Sequence, residues 1–352
     1  MTQLPEYLDA AATTPVDKRV LDVMYPYFSE IFGNASSSHI YGKQAKKAIE
    51  IARKQVSDLI NCNENEVFFT SGATESINMA LKGYVEANTG KGNHIITVKT
   101  EHKAVLSTCE YLETKGIEVT YLDVDANGLI RLDELRSAIK ESTLLIAIMY
   151  VNNEIGVIQP IAEIGDIAQK NNICFFCDAT QAVGKVKVDV NLDNIDMLCF
   201  SGHKLNGPKG VGVLYKKIEI ELTPLFHGGG QEGGLRAGTL NTPLIVGLGK
   251  ACEIISEEFD KIISNLFVKY AEIERYYEEN NIGIVNFKSV KKAPHILSIT
   301  LNEFKADDYL ILKSKEFVAS TGSACNSSVI TRSHVLQSLK GNEISKIIRI
   351  SI

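Results

Sequence analysis

Short runs rich in β-branched and apolar residues punctuate the first two thirds of the chain. They fall at Val67 to Thr70, His94 to Thr100, Val119 to Val124, Leu144 to Val151, Ile173 to Ala179, Met197 to Ser201 and Val211 to Lys216. Their near-continuous hydrophobicity fits strands buried on both faces. The segments around them carry helical spacing instead, as where Ala45, Ala48, Ile49, Ala52, Val56, Leu59 and Ile60 fall on one face. Strands alternating with helices predict an α/β domain of three layers, with a mostly parallel seven-stranded sheet covered on both sides. A long helical stretch from about Leu244 to Glu279 then leads to Ile296 to Leu301 and a tail without that alternation. The expected division is a large domain over 15–258 and a smaller α+β domain made from 1–14 and 259–352.

Composition narrows the function classes. With 352 residues, 45% hydrophobic and 23% charged, the chain matches ordinary globular averages and excludes bulk disorder. Thirty-seven basic against 43 acidic residues leave a net charge of −6. Without a basic footprint, no direct nucleic-acid partner is expected. The apolar run Leu144 to Val151 is far shorter than the roughly 20 residues a membrane helix needs, and no signal pattern opens the chain. Seven cysteines, an odd number scattered from Cys62 to Cys325, suit a reducing compartment. A cytoplasmic protein without membrane contact is expected.

Candidate chemistry clusters at the strand ends, where open α/β sheets bind ligands. Ser71-Gly72-Ala73-Thr74 follows the first run and opens a helix at about Glu75, which suits either an anion site or an ordinary capped turn. Glu101-His102, Asn152-Asn153-Glu154 and Asp178-Ala179-Thr180-Gln181 recur at the same edge, and together they describe a pocket for a polar cofactor. Lys204 lies between a strand end and the turn Leu205-Asn206-Gly207-Pro208. Partial desolvation there would make its amine a nucleophile toward aldehydes; the alternative is a solvated surface lysine. Pyridoxal phosphate uses all these parts: a lysine for its Schiff base, an acid facing its ring nitrogen and an anion cradle. Asp178 precedes Lys204 by 204 − 178 = 26 residues, room for one connection, and His102 is a candidate to stack on the ring. No metal site is expected. Cys174 and Cys177, three apart in a strand, point to opposite faces. Gly228-Gly229-Gly230 lacks the lysine pattern of a phosphate loop and reads as flexible geometry at a dimer interface.

With these residues in view, the chain resembles the NifS/IscS-type cysteine desulfurases of the class V aminotransferase superfamily, which share the fold-type I pyridoxal-phosphate architecture. The motifs that carry the likeness run in order from YLDAAATTPVD at 7–17 through FTSGATES at 69–76, TEHKAV at 100–105, VNNEIGV at 151–157, DATQAVGK at 178–185 and SGHKLNGPKG at 201–210 to GGGQEGGLRAGT at 228–239 and STGSACNSS at 320–328. The resemblance implies Lys204 as the Schiff-base lysine, Asp178 opposite the ring nitrogen, His102 over the ring, and Gln181 and Asn153 near the ring hydroxyl and substrate. It implies a phosphate site made by Ala73, Thr74, Ser201 and His203, with Thr239 reaching in from a second subunit and hence a homodimer. Cys325 would take sulfur from L-cysteine as a persulfide, leaving alanine, and Arg349 would grip the substrate carboxylate.

The segment around Cys325 resembles the IscS-like branch. Ala35 stands where proline is usual in the family and Ile77 where aspartate is common. The chain stops three residues after Arg349, where many relatives continue through a segment that helps dock acceptors. The resemblance implies a sulfur acceptor protein, serving iron–sulfur cluster assembly or, as the short ending points to a different acceptor, nucleic-acid sulfur modification. The competing readings are a selenocysteine lyase, another class V aminotransferase, or a non-catalytic sulfur-relay subunit.

Overall fold

The structure is a computed structural model that describes residues 4–321, 333–339 and 344–352. Among the described residues twelve strands follow one another: β1 (Glu6–Tyr7), β2 (Val67–Thr70), β3 (His94–Val98), β4 (Glu118–Leu122), β5 (Thr143–Ala147), β6 (Cys174–Asp178), β7 (Met197–Ser201), β8 (Gly212–Lys216), β9 (Gly283–Val285), β10 (Ile296–Leu301), β11 (Phe317–Val318) and β12 (Ile347–Ser351). Seven of them form one sheet in the order β2-β8-β7-β6-β5-β3-β4. β8 runs antiparallel to both β2 and β7, and the remaining pairs are parallel.

The three expected layers are present. β3, β5, β6 and β7 are buried at every position, and alternate residues feed separate cores. Ile96, Ile146, Phe175 and Cys177 pack with Ile49 and Val56 of the helix Ile40–Ile60. Ile95, Leu145, Phe176 and Cys174 pack with Met79 and Val105 of the helices Ala73–Ala87 and Lys103–Glu113. Cys174 and Cys177 thus serve opposite faces, as the strand period requires. All the parallel strands deliver their carboxyl ends to one edge, which is where the polar clusters of the sequence are gathered.

A second, smaller sheet places β10 between β12 and β9, all antiparallel, with β1 and β11 paired nearby. Its apolar side packs Leu297, Ile299, Ile348 and Ile350 with Tyr277 and Tyr309. The helix Thr242–Glu279 reaches from the large sheet to this core. Position 258, the expected division, lies inside that uninterrupted helix.

Some boundaries differ from expectation for local reasons. The run His94 to Thr100 leaves the sheet at Val98, because the Glu101 N–H turns back to the Val98 carbonyl. The run Leu144 to Val151 is strand only to Ala147; beyond it the buried chain forms the turn that carries Asn153. The helix after β2 starts at Ala73, two residues before Glu75, because Gly72 serves as its cap.

Candidate active site

The strand ends enclose a cavity of about 600 Å³, within the range of small-molecule and cofactor sites. Lys204 lies in the short turn after β7 and lines the cavity. Its Nζ donates to the carbonyls of Ala11 and, at 2.7 Å, Ala12. The amine is thereby held against the amino-terminal segment, where a solvated lysine would have no fixed partner. Asp178, the last residue of β6, is 5% exposed, and its Oδ1 accepts the Thr180 backbone N–H at 3.0 Å. Cys199 on the neighbouring strand adds a thiol contact to the same oxygen at 3.7 Å. His102 caps the helix Lys103–Glu113, its Nδ1 accepting the Ala104 N–H at 3.1 Å. That bond commits the Nδ1 lone pair, so a neutral His102 carries its hydrogen on Nε2.

Gln181 donates through Nε2 to the Ala11 carbonyl at 2.9 Å. In the turn after β5, Asn152 spends its side chain locally, donating to the Thr100 carbonyl and accepting from the Glu154 and Ile155 N–H groups. Asn153 is left lining the cavity. Arg349, in the middle of β12, is 3% exposed and also lines it. Its Nη1 donates to the Asn153 carbonyl at 2.9 Å and its Nη2 to Asp9 at 2.6 Å.

The anion end is built from the helix Ala73–Ala87, whose N-terminus no side chain caps. Ala73, Thr74, Ser201 and His203 all border the cavity there. A Cβ on Gly212 would stand 2.6 Å from the Gly72 Cα, so the turn after β2 can lie this close on β8 because position 212 is glycine. Gly72 itself has φ +155°, a backbone conformation that side-chain-bearing residues rarely adopt. Burial, reinforced by the charges of Lys204 and Lys209, lowers His203 to about 4. A neutral imidazole results, with Nδ1 3.1 Å from Thr13 Oγ1.

Of the residues singled out from sequence, Thr239 is exposed and does not border the cavity of its own chain. Cys325 lies outside the described residues. Six other cysteines are described, and none of them lines the cavity. Burial pushes the thiols of Cys62 and Cys109 up to about 12, and those of Cys174, Cys177, Cys199 and Cys252 upward as well.

Sequence reasoning missed three residues of the site: Ala11, Ala12 and His334. Ala11 and Ala12 act through backbone carbonyls, for which a run of small residues is the only written trace. Glu101, already marked beside His102 in the sequence, is 1% exposed, accepts the Met149 N–H at 2.6 Å, and leaves Oε2 buried without a hydrogen-bond partner among the described residues. Burial dominates its titration and holds the carboxyl well above the usual range; the Met149 bond opposes this and the charge of Asp178 adds to it. His334 lines the cavity and donates from Nε2 to the Glu101 carbonyl at 2.9 Å.

An uncapped helix start, a buried carboxylate and a lysine amine at the wall of one cavity fit pyridoxal phosphate, whose phosphate, ring nitrogen and aldehyde need those three groups. Comparison with known proteins agrees. The family model described as aminotransferase class-V matches residues 6–352. The cysteine desulfurase IscS of Neisseria meningitidis serogroup C is 49% identical over 349 residues, covering 96% of this chain and 84% of that protein. The mitosomal cysteine desulfurase of Trachipleistophora hominis is 47% identical, covering 96% and 78%. Among solved structures, a NifS-like protein superposes with a TM-score of 0.92 at 37% identity, covering 99% of this chain and 94% of that one. A structure of SspA in complex with cysteine does so with a TM-score of 0.86 at 40% identity, covering 99% and 98%.

Proposed function

Starting from the premise that this chain belongs to the class-V aminotransferase family and is a pyridoxal-phosphate-dependent cysteine desulfurase, we propose how its own residues divide the work. L-cysteine is the substrate and L-alanine the product. The C–S bond of the substrate breaks, the sulfur joins the Cys325 sulfur as a persulfide, and the thiol hydrogens end on alanine and the persulfide. Carbon is reduced and sulfur oxidised within one reaction, so no outside oxidant is needed. The cofactor, when bound, supplies an electron sink beside the reacting carbon.

The observation that carries the reading is the meeting of Lys204, Asp178 and an uncapped helix start at one cavity. Lys204 would hold the cofactor covalently and, once released by substrate, move the proton at the substrate α-carbon. Asp178 would hold the ring nitrogen protonated, and burial under Thr180 and Cys199 keeps its oxygen fixed. His102 would cover the ring, with Gln181 and Asn153 at its hydroxyl and at the substrate. The phosphate would be held by Ala73, Thr74, Ser201 and His203. Thr239, exposed in its own chain, would complete that site in a partner subunit, and we therefore propose a homodimer.

Arg349 would orient the substrate carboxylate. Cys325 would receive sulfur and pass it to an acceptor protein. This is supported by the positions of the described residues flanking its segment: Ser320 bridges Arg349, and His334 lines the cavity. The other described thiols, five of them buried and all held above the ordinary thiol range by burial, point the same way. We further propose that 1–14 and 259–352 form the smaller unit, supported by the β1–β11 pair and the separate core around Leu297. No helix among the described residues is long and apolar enough to cross a membrane, and a cytoplasmic site of action is proposed.

The deciding experiment records the visible spectrum of purified protein before and after L-cysteine and measures alanine in the same tube. A cofactor band that shifts on mixing, with alanine formed, is expected. Lys204→Ala should lose both turnover and the covalent band, whereas Cys325→Ser should keep the band and form no persulfide. Alanine and sulfur release at the wild-type rate from Cys325→Ser would overturn the assignment of the acceptor thiol.

A further inference from the structure

His295 stands just before β10, 1% exposed, with its Nε2 3.1 Å from Gln181 Oε1. Gln181 passes the contact on, donating from Nε2 to the Ala11 carbonyl at 2.9 Å. The same carbonyl accepts from Lys204 Nζ. A line of three contacts therefore joins a buried histidine outside the cavity to the reactive amine inside it.

The polarity of that line is forced. If the Gln181 amide were turned over, its oxygen would face the Ala11 carbonyl oxygen, two acceptors with no proton between them. Gln181 Nε2 must therefore face Ala11 and Oε1 must face His295, which in turn carries its hydrogen on Nε2. His295 Nδ1 is buried and has no hydrogen-bond partner among the described residues, so a second proton there would be a buried, unpaired charge. Lys185, Arg349 and Lys204 are the neighbouring charges, all cationic; they add to burial in pulling the imidazole well below its ordinary value.

We propose that His295 is a positioning residue, whose Nε2–H fixes the sense of the Gln181 amide and, through the shared Ala11 carbonyl, the resting place of the Lys204 amine. The inference deepens the roles proposed for Gln181 and Lys204 and rests on them. Removing the donor leaves Gln181 Oε1 buried without a partner and frees the amide to turn, a loss in the range of one buried hydrogen bond.

The test is a double-mutant cycle on the holoenzyme with His295→Leu, Gln181→Ala and the pair. The readouts are kcat/KM for L-cysteine, the visible spectrum, the affinity of the stripped protein for pyridoxal phosphate, and the thermal midpoint. His295→Leu should lower kcat/KM about tenfold and weaken pyridoxal-phosphate binding severalfold. In the Gln181→Ala background the same change should cost less than about twofold. His295→Gln, which returns an N–H near the Nε2 position, should recover most of the loss. If His295→Leu does not fold, His295→Met provides the same comparison with an unbranched side chain. Effects that multiply across the cycle, or a lowered thermal midpoint with unchanged kcat/KM and spectrum, would overturn the inference. A wild-type protein with neither cofactor band nor alanine would sink the cofactor reading instead, and non-additive thermal midpoints would still tie His295 to Gln181.

Discussion

Arg349 offers the sharpest quantitative test of the substrate site. A guanidinium has five N–H donors. Among the described residues two are engaged, Nη1 on the Asn153 carbonyl at 2.9 Å and Nη2 on Asp9 at 2.6 Å, while Nε is buried with no hydrogen-bond partner there. Each terminal nitrogen therefore keeps a second N–H for a carboxylate at the cavity wall. Arg349→Lys preserves the charge and reduces a two-pronged grip to a single point. Losing one charge-assisted hydrogen bond, worth about 1.5–3 kcal/mol, should raise KM for L-cysteine roughly 10- to 150-fold. Because the contact is made to the unreacting carboxylate, kcat should change by no more than about threefold. Initial rates of alanine formation over a range of cysteine concentrations measure both constants. Asp9→Asn provides the control: it removes the ion-pair partner but not the guanidinium, so its KM should rise by less than that of Arg349→Lys. A KM within twofold of wild type in Arg349→Lys, with kcat collapsed, would show the arginine to be a strut for Asp9 and not a substrate ligand.

Two further outcomes follow from buried charges elsewhere. Glu232, its side chain 1% exposed, takes Arg53 at 2.6 and 3.0 Å and the Phe69 N–H at 2.7 Å. Arg53→Met should therefore cost about 3–5 kcal/mol in urea unfolding, and adding Glu232→Leu should recover much of it; a cost below 1 kcal/mol would contradict this account. His203 titrates at about 4 in the fold against an ordinary 6.5, so between those values the unfolded chain binds a proton that the folded chain refuses, and stability rises with pH. The thermal midpoint should fall as pH drops from 6.5 towards 4, less steeply in His203→Gln; parallel slopes in the two proteins would refute the assignment.

The parts of the molecule that could be read in advance are those where burial alone decides. Val67–Thr70, Met197–Ser201 and Ile296–Leu301 are strands at the predicted limits, because hydrophobic runs end there in glycine or polar turns. The reversal of β8 left no trace, since a strand buried on both faces has the same pattern in either direction. The polar edge was legible because its residues recur after successive strands, and parallel strands must bring them together. What could not be read depends on contacts remote in sequence. Ala11 meets Lys204 across 193 residues, through a carbonyl that every residue type owns. His295 sits in an apolar stretch, and only Gln181, 114 residues away, gives it a task. Thr239 and Cys325 were marked by their motifs, and the one lies away from its own cavity while the other falls outside the described residues.

The helix Thr242–Glu279 spans the distance between the two cores. Its 38 residues at about 1.5 Å each make a spar of roughly 57 Å. Fully buried positions anchor it as far as Ile255 and again at Tyr277, with Phe259 and Ile262 packed on the first core and Tyr270 and Ile273 on the second. At Gly249, where a Cβ would stand 2.6 Å from Ala52, it lies flush against the helix Ile40–Ile60. Between those moorings there is no proline or glycine at which to bend. The spacing of the two hydrophobic cores is thus metered by backbone rise.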